Sequence, residues 1–323
     1  MKALLSRLNI DTYIVLLVGM VALASALPAR GLFSHIVSYC ANIGIVILFF
    51  MHGARLSREA VLNGVKHWRL HATVGAVTYI IFPIIGIIVS SIHIISPDLA
   101  KGLLFLTLLP STVQSSIAFT AMARGNVAGA VCSASFSNLA GIFITPVLVA
   151  LLITGKQGGV SFDAMQTVVL QLLIPFLVGH FMRPWIGAWV GRQKRLLTII
   201  DRSSILLVVY SAFSAAVVEG IWRRVSAEDM LTMAVASIAM LSFLLMLTRV
   251  IAARLHFDRG DSIVLQFCGS KKSLASGVPM AGVLFPAAQV GAIILPLMLF
   301  HQVQLMVCAV LARRYGSQCE ETK

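Results

Sequence analysis

Long apolar segments alternate with short polar links along this sequence. Ten segments approach or exceed the roughly 20 residues that a helix needs to span a bilayer. They cover residues 10–27, 33–52, 72–95, 100–123, 127–153, 165–182, 200–221, 227–249, 261–285 and 288–312. The pattern predicts an all-α polytopic membrane protein with ten transmembrane helices, which are referred to below as segments one to ten.

Segment nine is predicted to break near its midpoint. Lys271 and Lys272 lie in its middle, and a lysine at a helix centre costs roughly 2.5–3.5 kcal/mol on insertion scales. Gly269, Gly277 and Pro279 also weaken a continuous helix. Non-helical backbone at that depth is tolerated only where it is buried in protein or lines an aqueous cavity. We therefore expect a broken helix around a polar site.

Segments four and nine hold the same place in two halves of five segments each. Residues 115–118 read SSIA and residues 272–275 read KSLA. With five spans per half, the second half must run inverted relative to the first. Interrupted segments at matching positions are the sequence feature that best indicates a transporter's binding site. We expect one transporter domain over 1–323, with repeats at about 10–153 and 165–312 and short cytoplasmic tails.

Composition supports the membrane assignment and charge orients the chain. Hydrophobic residues make up 59% of the sequence and charged residues 11%, with a mean hydropathy of +0.94. The net charge is +13, but the basic residues are spread over short links, so nucleic-acid binding is not expected. Eighteen of the 25 lysines and arginines fall in the termini and in the links after segments two, four, six and eight. The positive-inside rule therefore predicts that both termini are cytoplasmic.

The N-terminus and the cysteines leave this picture unchanged. Lys2, Arg7 and the tripeptide 24–26 resemble a secretory signal, a second interpretation of segment one that stays open. The five cysteines show no spacing typical of a metal site or a disulfide framework. Four of them lie in apolar segments and are expected to be small core residues: Cys40, Cys132, Cys268 and Cys308.

Polar side chains mark segment four. Gln114, Ser115, Ser116 and Thr120 follow Pro110. A proline leaves a backbone carbonyl one turn earlier without its donor, and broken helices use such carbonyls and hydroxyls to hold cations. The alternative is a proline kink whose hydroxyls bond back to their own helix.

Segment five offers a second polar face. Ser133 and Ser137 are four residues apart and share one side of the predicted helix, with Asn138 beside them. Small hydroxyl residues also let membrane helices pack closely, so binding and packing roles are both open. Asn138 is the stronger candidate because a buried amide needs hydrogen-bond partners.

Lys271 and Lys272 have no obvious acidic partner, because the twelve acidic residues lie in links, tails or near segment ends. Three roles are open for them: binding an anionic substrate, replacing a metal ion with a tethered charge, or carrying a proton. The structural alternative is snorkelling or a salt bridge. His301 in segment ten is a candidate for proton transfer, although a lone intramembrane histidine is more often a packing residue.

Motifs of other function classes are missing from the sequence. It contains no Gly-rich phosphate loop, no HExxH pattern and no nucleophile motif. We therefore expect no enzyme activity, no cofactor apart from a coupling Na⁺ or H⁺, and no metal beyond transiently bound sodium.

The chain resembles the bile acid:sodium symporter superfamily, and most closely its bacterial SBF-like branch. The resemblance covers nearly the whole chain and rests on LLPSTVQSSIAFTAMARGN (108–126), FSNLAGIFITPVL (136–148) and FCGSKKSLASGVPMA (267–281). It implies two inverted five-helix repeats and a core domain whose fourth and ninth helices break and cross. It also implies a panel domain of the first, second, sixth and seventh helices, with transport by movement of core against panel.

The resemblance also assigns residues. Its polar positions match Ser115, Ser116, Ser137, Asn138, Lys271, Lys272 and Ser273. The chain departs from the family at the ninth-helix break, where characterised bile-acid transporters have a glutamate and a glutamine that help to hold sodium. Residues 267–271 offer phenylalanine, cysteine and lysine instead. A lysine at the crossing would then occupy the cation's place by its own charge.

The sequence therefore predicts a secondary active transporter of a small organic solute, chiefly an organic anion, in the bacterial cytoplasmic membrane. Coupling to sodium and coupling to protons are both open, and the alternative function is a non-transporting regulator of ion homeostasis. The expected partners are the solute and membrane lipids, and the chain is expected to be a monomer or a homodimer. The candidate binding residues are Gln114, Ser115, Ser116, Thr120, Ser133, Ser137, Asn138, Lys271, Lys272, Ser273 and His301.

Overall fold

The computed structural model describes residues 12–55, 67–92, 96–154, 166 and 169–318. Within these residues the chain is helical, without a β-strand. The N-terminal Lys2 and Arg7, most of the link between segments two and three, the link after segment five, and Cys319 lie outside the described residues.

Fourteen α-helices are described. In chain order, α1 to α7 are Thr12–Ala26, Leu32–Arg55, Trp68–Ala76, Phe82–Ser90, Pro97–Thr107, Gln114–Met122 and Val127–Val149. The helices α8 to α14 are Ile174–Arg192, Lys194–Val218, Ile221–Arg224, Ala227–Arg254, Arg259–Gly269, Leu274–Leu284 and Ala287–Gln318. Three π-helical turns adjoin them: Val77–Ile81 joins α3 to α4, Ala150–Thr154 extends α7, and Val169–Leu173 precedes α8.

Seven helical stretches of the described residues are long and apolar enough to cross a membrane. They correspond to predicted segments two, three, five, six, seven, eight and ten. Segment one is the shorter helix α1, of 15 residues. Segments four and nine are each divided into two helices of 9 to 11 residues, α5 with α6 and α12 with α13. The protein is thus an all-helical, multi-pass membrane protein, while ten spans in two inverted repeats stay a prediction.

One predicted boundary is wrong. The sequence pattern ends segment six at residue 182 and predicts a link over 183–199. The structure continues α8 through Pro184 to Arg192 and starts α9 at Lys194. Hydropathy marks where side chains are apolar, whereas a helix continues for as long as its backbone hydrogen bonds are made, so a polar extension is not seen in the pattern.

The expectation for the cysteines also needs one correction. Cys132, Cys268 and Cys308 are buried, as expected, but Cys40 on α2 is exposed. Ile36 and Ile43 lie three or four residues away and are exposed on the same face of α2. An apolar membrane helix therefore places Cys40 on an outward face instead of in the core.

The chain forms two compact units. The first contains the described residues of Met1–Leu56, Gln157–Ser226 and Val278–Ile294. Its helices α1, α2, α8 and α9 correspond to the four that the resemblance assigns to the panel. The helices α2 and α8 approach closely, since a Cβ atom at Gly179 would lie 2.0 Å from the Phe50 carbonyl oxygen. Glycine permits this contact, as small residues do where membrane helices pack.

The second unit contains both interruptions, with segment nine as far as Gly277. It comprises the described residues of Ser57–Lys156, Ala227–Gly277 and Leu295–Lys323. Within it, α12 packs against α3, α6, α7 and α11. The start of α12 is capped by Asp258, whose carboxylate accepts a hydrogen bond from the Asp261 N–H at 2.7 Å. This packing fixes the two interruptions on which the candidate site is built.

Candidate functional site

The interruption between α5 and α6 frees three consecutive carbonyls, those of residues 108–110. Pro110 has no N–H and stands where α5 would continue, so the hydrogen-bond ladder ends. Other elements supply the missing donors. In order, the three carbonyls accept hydrogen bonds from Thr145 Oγ1 at 2.7 Å, Lys272 Nζ at 2.7 Å and the Ser273 N–H at 2.9 Å. The two interruptions therefore contact each other directly.

The second interruption, residues 270–273, is held by a side-chain amide from α14. The Lys272 N–H donates to Gln304 Oε1 at 2.9 Å, and Gln304 Nε2 donates to the Lys272 carbonyl, also at 2.9 Å. Ser273 begins the next helix, because its hydroxyl accepts a hydrogen bond from the Ser276 N–H at 3.1 Å. Gln304 thus takes the place of a neighbouring peptide group.

Lys272 is fully buried and its ammonium contacts the main chain. Its Nζ atom donates to the carbonyls of Thr78, at 2.9 Å, and Leu109, at 2.7 Å. The same atom lies 4.2 Å from the centroid of the Phe82 ring and 5.9 Å from that of Tyr79. Cation–π attraction therefore adds to the two hydrogen bonds.

Lys271 is also fully buried but has a different environment. Its Nζ atom donates to Ser115 Oγ at 3.3 Å. It lies 4.4 Å from the centroid of the Phe119 ring and 5.6 Å from that of Phe267. A hydroxyl and two aromatic faces surround the Lys271 ammonium, whereas two carbonyls and two rings surround that of Lys272.

A cluster of hydroxyls links Lys271 to both interruptions. Thr112 Oγ1 lies 2.8 Å from Ser115 Oγ and 3.0 Å from Ser116 Oγ. Ser116 Oγ in turn donates to the Phe267 carbonyl at 3.0 Å. Ser116 therefore contacts α12 and is not part of a simple proline kink whose hydroxyls bond only their own helix.

The lysines have no anionic partner in the part of the chain that the structure describes. No carboxylate there lies within 4.0 Å of either ammonium group. Both side chains are 0% exposed, so neither snorkels to the surface. Burial of unpaired charge is costly, and such groups in a membrane segment mark function by default.

Two predicted residues of segment five join the site. Ser137 Oγ accepts a hydrogen bond from the Ser111 N–H at 3.0 Å, at the first interruption. The Ser276 hydroxyl donates to Asn138 Oδ1 at 2.8 Å, at the start of α13. The half-buried amide of Asn138 thus has a hydrogen-bond partner.

The other candidates lie further out. Ser133 Oγ bonds His71 Nδ1 on α3 at 2.7 Å. Thr120 is buried on α6, Gln114 is exposed at its start, and His301 Nδ1 lies 2.8 Å from Gln304 Nε2. The structure therefore brings Ser115, Ser116, Ser137, Asn138, Lys271, Lys272 and Ser273 together around the interruptions. Their binding roles stay a prediction.

Sequence reasoning missed three polar residues of the site. Gln304, Thr112 and Ser276 hold the interruptions through the hydrogen bonds above. Gln304 has a visible signal, since it is an amide in the middle of an apolar segment, three residues after His301. Thr112 and Ser276 each lie within a few residues of a break and carry no signal that separates them from ordinary hydroxyls.

Comparison with known proteins identifies the family. The model of the SBF-like CPA transporter family matches residues 11–317. An uncharacterised Pseudomonas aeruginosa protein is 52% identical over 96% of this chain and 94% of its own length. YfeH of Escherichia coli strain K12, named as a candidate symporter, is 50% identical over 97% of this chain and 95% of its own length.

A more distant similarity extends to animals. Sodium/bile acid cotransporter 7 of Rattus norvegicus is 28% identical over 83% of this chain and 81% of its own length. The names of the Escherichia coli and rat relatives indicate transport and not enzymatic activity, which supports a non-enzymatic role. Because the family model covers nearly every residue, and close relatives match over almost their full length, the chain belongs to the SBF-like CPA transporter family.

Proposed function

We propose that the protein is a secondary active transporter that moves a small organic anion across the bacterial cytoplasmic membrane. Membership of a transporter family and the name of a bacterial relative support the general class. The anion is supported by one observation, namely that Lys271 and Lys272 are buried with no carboxylate within 4.0 Å among the described residues. An anionic solute supplies the missing countercharge when the site opens.

The surroundings of Lys271 favour an organic anion. Its ammonium faces Ser115 and the rings of Phe119 and Phe267. A carboxylate would accept hydrogen bonds from the ammonium and the hydroxyls, while the aromatic faces suit an apolar body. An inorganic anion would accept the hydrogen bonds from the ammonium and the hydroxyls but would not use the aromatic faces.

Alternating access is the mechanism that we propose for this site. The division of the chain into two compact units supports it, since movement of one unit against the other requires that each be packed by itself. Both termini are cytoplasmic, the chain is a monomer or a homodimer in contact with membrane lipids, and no cofactor is needed beyond a coupling Na⁺ or H⁺.

The test is uptake by purified protein in liposomes, using a panel of small carboxylates with sodium and pH gradients imposed separately. We expect gradient-driven flux with the wild type. Lys271→Ala should lower it roughly 10- to 100-fold at subsaturating anion, because a hydrogen bond to a charged group contributes about 1.5–3 kcal/mol. Lys101→Ala, at a lysine beside Asp98 at the start of α5, is the matched control and should keep wild-type flux.

Two outcomes contradict the proposal. Normal flux in Lys271→Ala would show that this lysine does not bind the anion. Folded wild-type protein that moves no carboxylate under either gradient would instead favour the non-transporting regulator of ion homeostasis.

A further inference from the structure

We propose that the Lys272 ammonium is a tethered cation that permanently fills a monovalent-cation site built from two main-chain carbonyls. The site would take Na⁺ or a small alkylammonium ion if the lysine were removed. The inference deepens the proposed function, and only its consequence for coupling rests on that function.

The first carbonyl is freed by the register of a π-helical turn. In Val77–Ile81 the Phe82 N–H bonds the Val77 carbonyl, a spacing of five residues. In the same register the Thr78 carbonyl needs the N–H of residue 83. Residue 83 is a proline and has none. The chain itself therefore leaves the Thr78 oxygen open to an outside donor.

The second carbonyl is freed by the interruption between α5 and α6. The helix α5 ends at Thr107 and the next helix begins only at Gln114. The Leu109 carbonyl lies between them and accepts its hydrogen bond from Lys272 Nζ, at 2.7 Å. Two oxygens from separate elements thus meet at one nitrogen.

The surroundings favour a charged nitrogen over a neutral amine. An ammonium has three donors and no lone pair, and two of its hydrogens serve the two carbonyls. The same atom lies 4.2 Å from the Phe82 ring centroid. The face of an aromatic ring is electronegative, so it attracts a cation and repels the lone pair that a neutral amine would present.

The ligand set is that of a monovalent cation. Rings of backbone carbonyls replace the hydration shell of such ions in membrane proteins. The Thr78 hydroxyl, on the same turn as one of the carbonyls, is fully buried and has no hydrogen-bond partner among the described residues. It is a third oxygen available to an ion that entered in place of the lysine.

Lys272 is also held where it is. The Gln304 amide bonds both its N–H and its carbonyl, and the side chain is 0% exposed. The ammonium is therefore a fixed part of the site, and this site needs no sodium. A transport cycle that involved this site would not bind sodium at it. A proton gradient or the gradient of the solute itself would then drive the cycle.

The experiment is thermal unfolding of the purified full-length protein in detergent, with Na⁺, methylammonium or choline chloride at constant ionic strength. We expect the wild-type midpoint to be the same in Na⁺ and choline. Lys272→Ala should unfold at a lower temperature in choline, and methylammonium or Na⁺ should restore most of the loss in a saturable way. Lys272→Met fills the volume without charge and should be destabilised but not rescued.

Lys271→Ala is the matched control, because its ammonium contacts a hydroxyl and two rings but no carbonyl, and no cation should rescue it. Saturable stabilisation of the wild type by Na⁺ relative to choline would overturn the proposal. A Lys272→Ala variant that is as stable as the wild type, or that no cation stabilises, would also overturn it. If Lys272→Ala gives no folded protein, the wild-type titration still decides. This experiment measures stability and not transport. A negative result for the cation site can therefore be told apart from a failure to find a transported anion.

Discussion

Lys271 and Lys272 are neighbours in the chain whose side chains meet different chemistry. Lys272 reaches two carbonyls, and Lys271 reaches Ser115 and two rings. Both lysines lie in the non-helical residues 270–273, and their side chains point in different directions. We therefore assign a fixed structural charge to Lys272 and contact with the solute to Lys271.

A prediction at the residue scale concerns Gln304. Gln304→Leu leaves the N–H and carbonyl of Lys272 buried without partners, and each unsatisfied group costs about 1–3 kcal/mol. The unfolding midpoint in detergent should therefore fall. The control is Gln302→Leu on the same helix, since Gln302 Oε1 is buried without a hydrogen-bond partner among the described residues. Gln302→Leu should leave the unfolding midpoint unchanged or raise it. An equal fall of the midpoint in both variants would show that Gln304 does not hold the Lys272 backbone in the way proposed.

At the scale of elements, one proline accompanies each of the two irregular segments that present a free carbonyl. Pro83 removes the donor for the Thr78 carbonyl, and Pro110 ends the ladder of α5 beside Leu109. Each freed oxygen then faces Lys272. The irregular turns are thus part of the site and not defects of the helices that carry it.

This arrangement predicts energetic coupling between Pro83 and Lys272. In Pro83→Ala the new N–H bonds the Thr78 carbonyl, so removal of the ammonium by Lys272→Ala should cost less than in the wild type. A double-mutant cycle on unfolding midpoints should give a coupling of about 0.5–3 kcal/mol. Pro184→Ala, inside α8 in the other unit, should be additive with Lys272→Ala. Additivity of the Pro83 pair would contradict the register argument.

At the scale of the whole molecule, the open question is the inverted relation of the two halves. Each half has an interrupted segment, followed by a short turn and a long helix, α7 or α14. The charge distribution predicts that the turn before α7 is cytoplasmic. Five spans later, the matching turn before α14 should lie on the opposite face of the membrane.

Cysteine labelling with an impermeant maleimide tests this topology. Ala128→Cys and Ala287→Cys place reporters at exposed positions just after the two interrupted segments, in a background where the exposed Cys40 and the C-terminal Cys319 are serine. We expect Ala128→Cys to react only from the cytoplasmic side and Ala287→Cys only from the other. Reaction of both from one side would exclude the inverted repeat, and a C-terminal reporter found outside would contradict the ten-span topology with both termini cytoplasmic.

Much of this architecture was accessible from sequence because it depends on local composition. The apolar segments and the breaks near Pro110 and Lys272 follow from residue types within one segment. The extension of α8 to Arg192 and the exposure of Cys40 were missed. Hydropathy reports neither backbone hydrogen bonding nor the direction in which an apolar face points.

The sequence by itself determined that this is a multi-pass membrane protein of the SBF-like family with two lysines at a broken helix. Only the tertiary structure decided which oxygens those lysines meet and that Gln304 holds one of them in place. The physical reason is that the deciding contacts join residues far apart in the chain. Lys272 bonds carbonyls 194 and 163 residues away, and no local pattern encodes which freed carbonyl will face which ammonium.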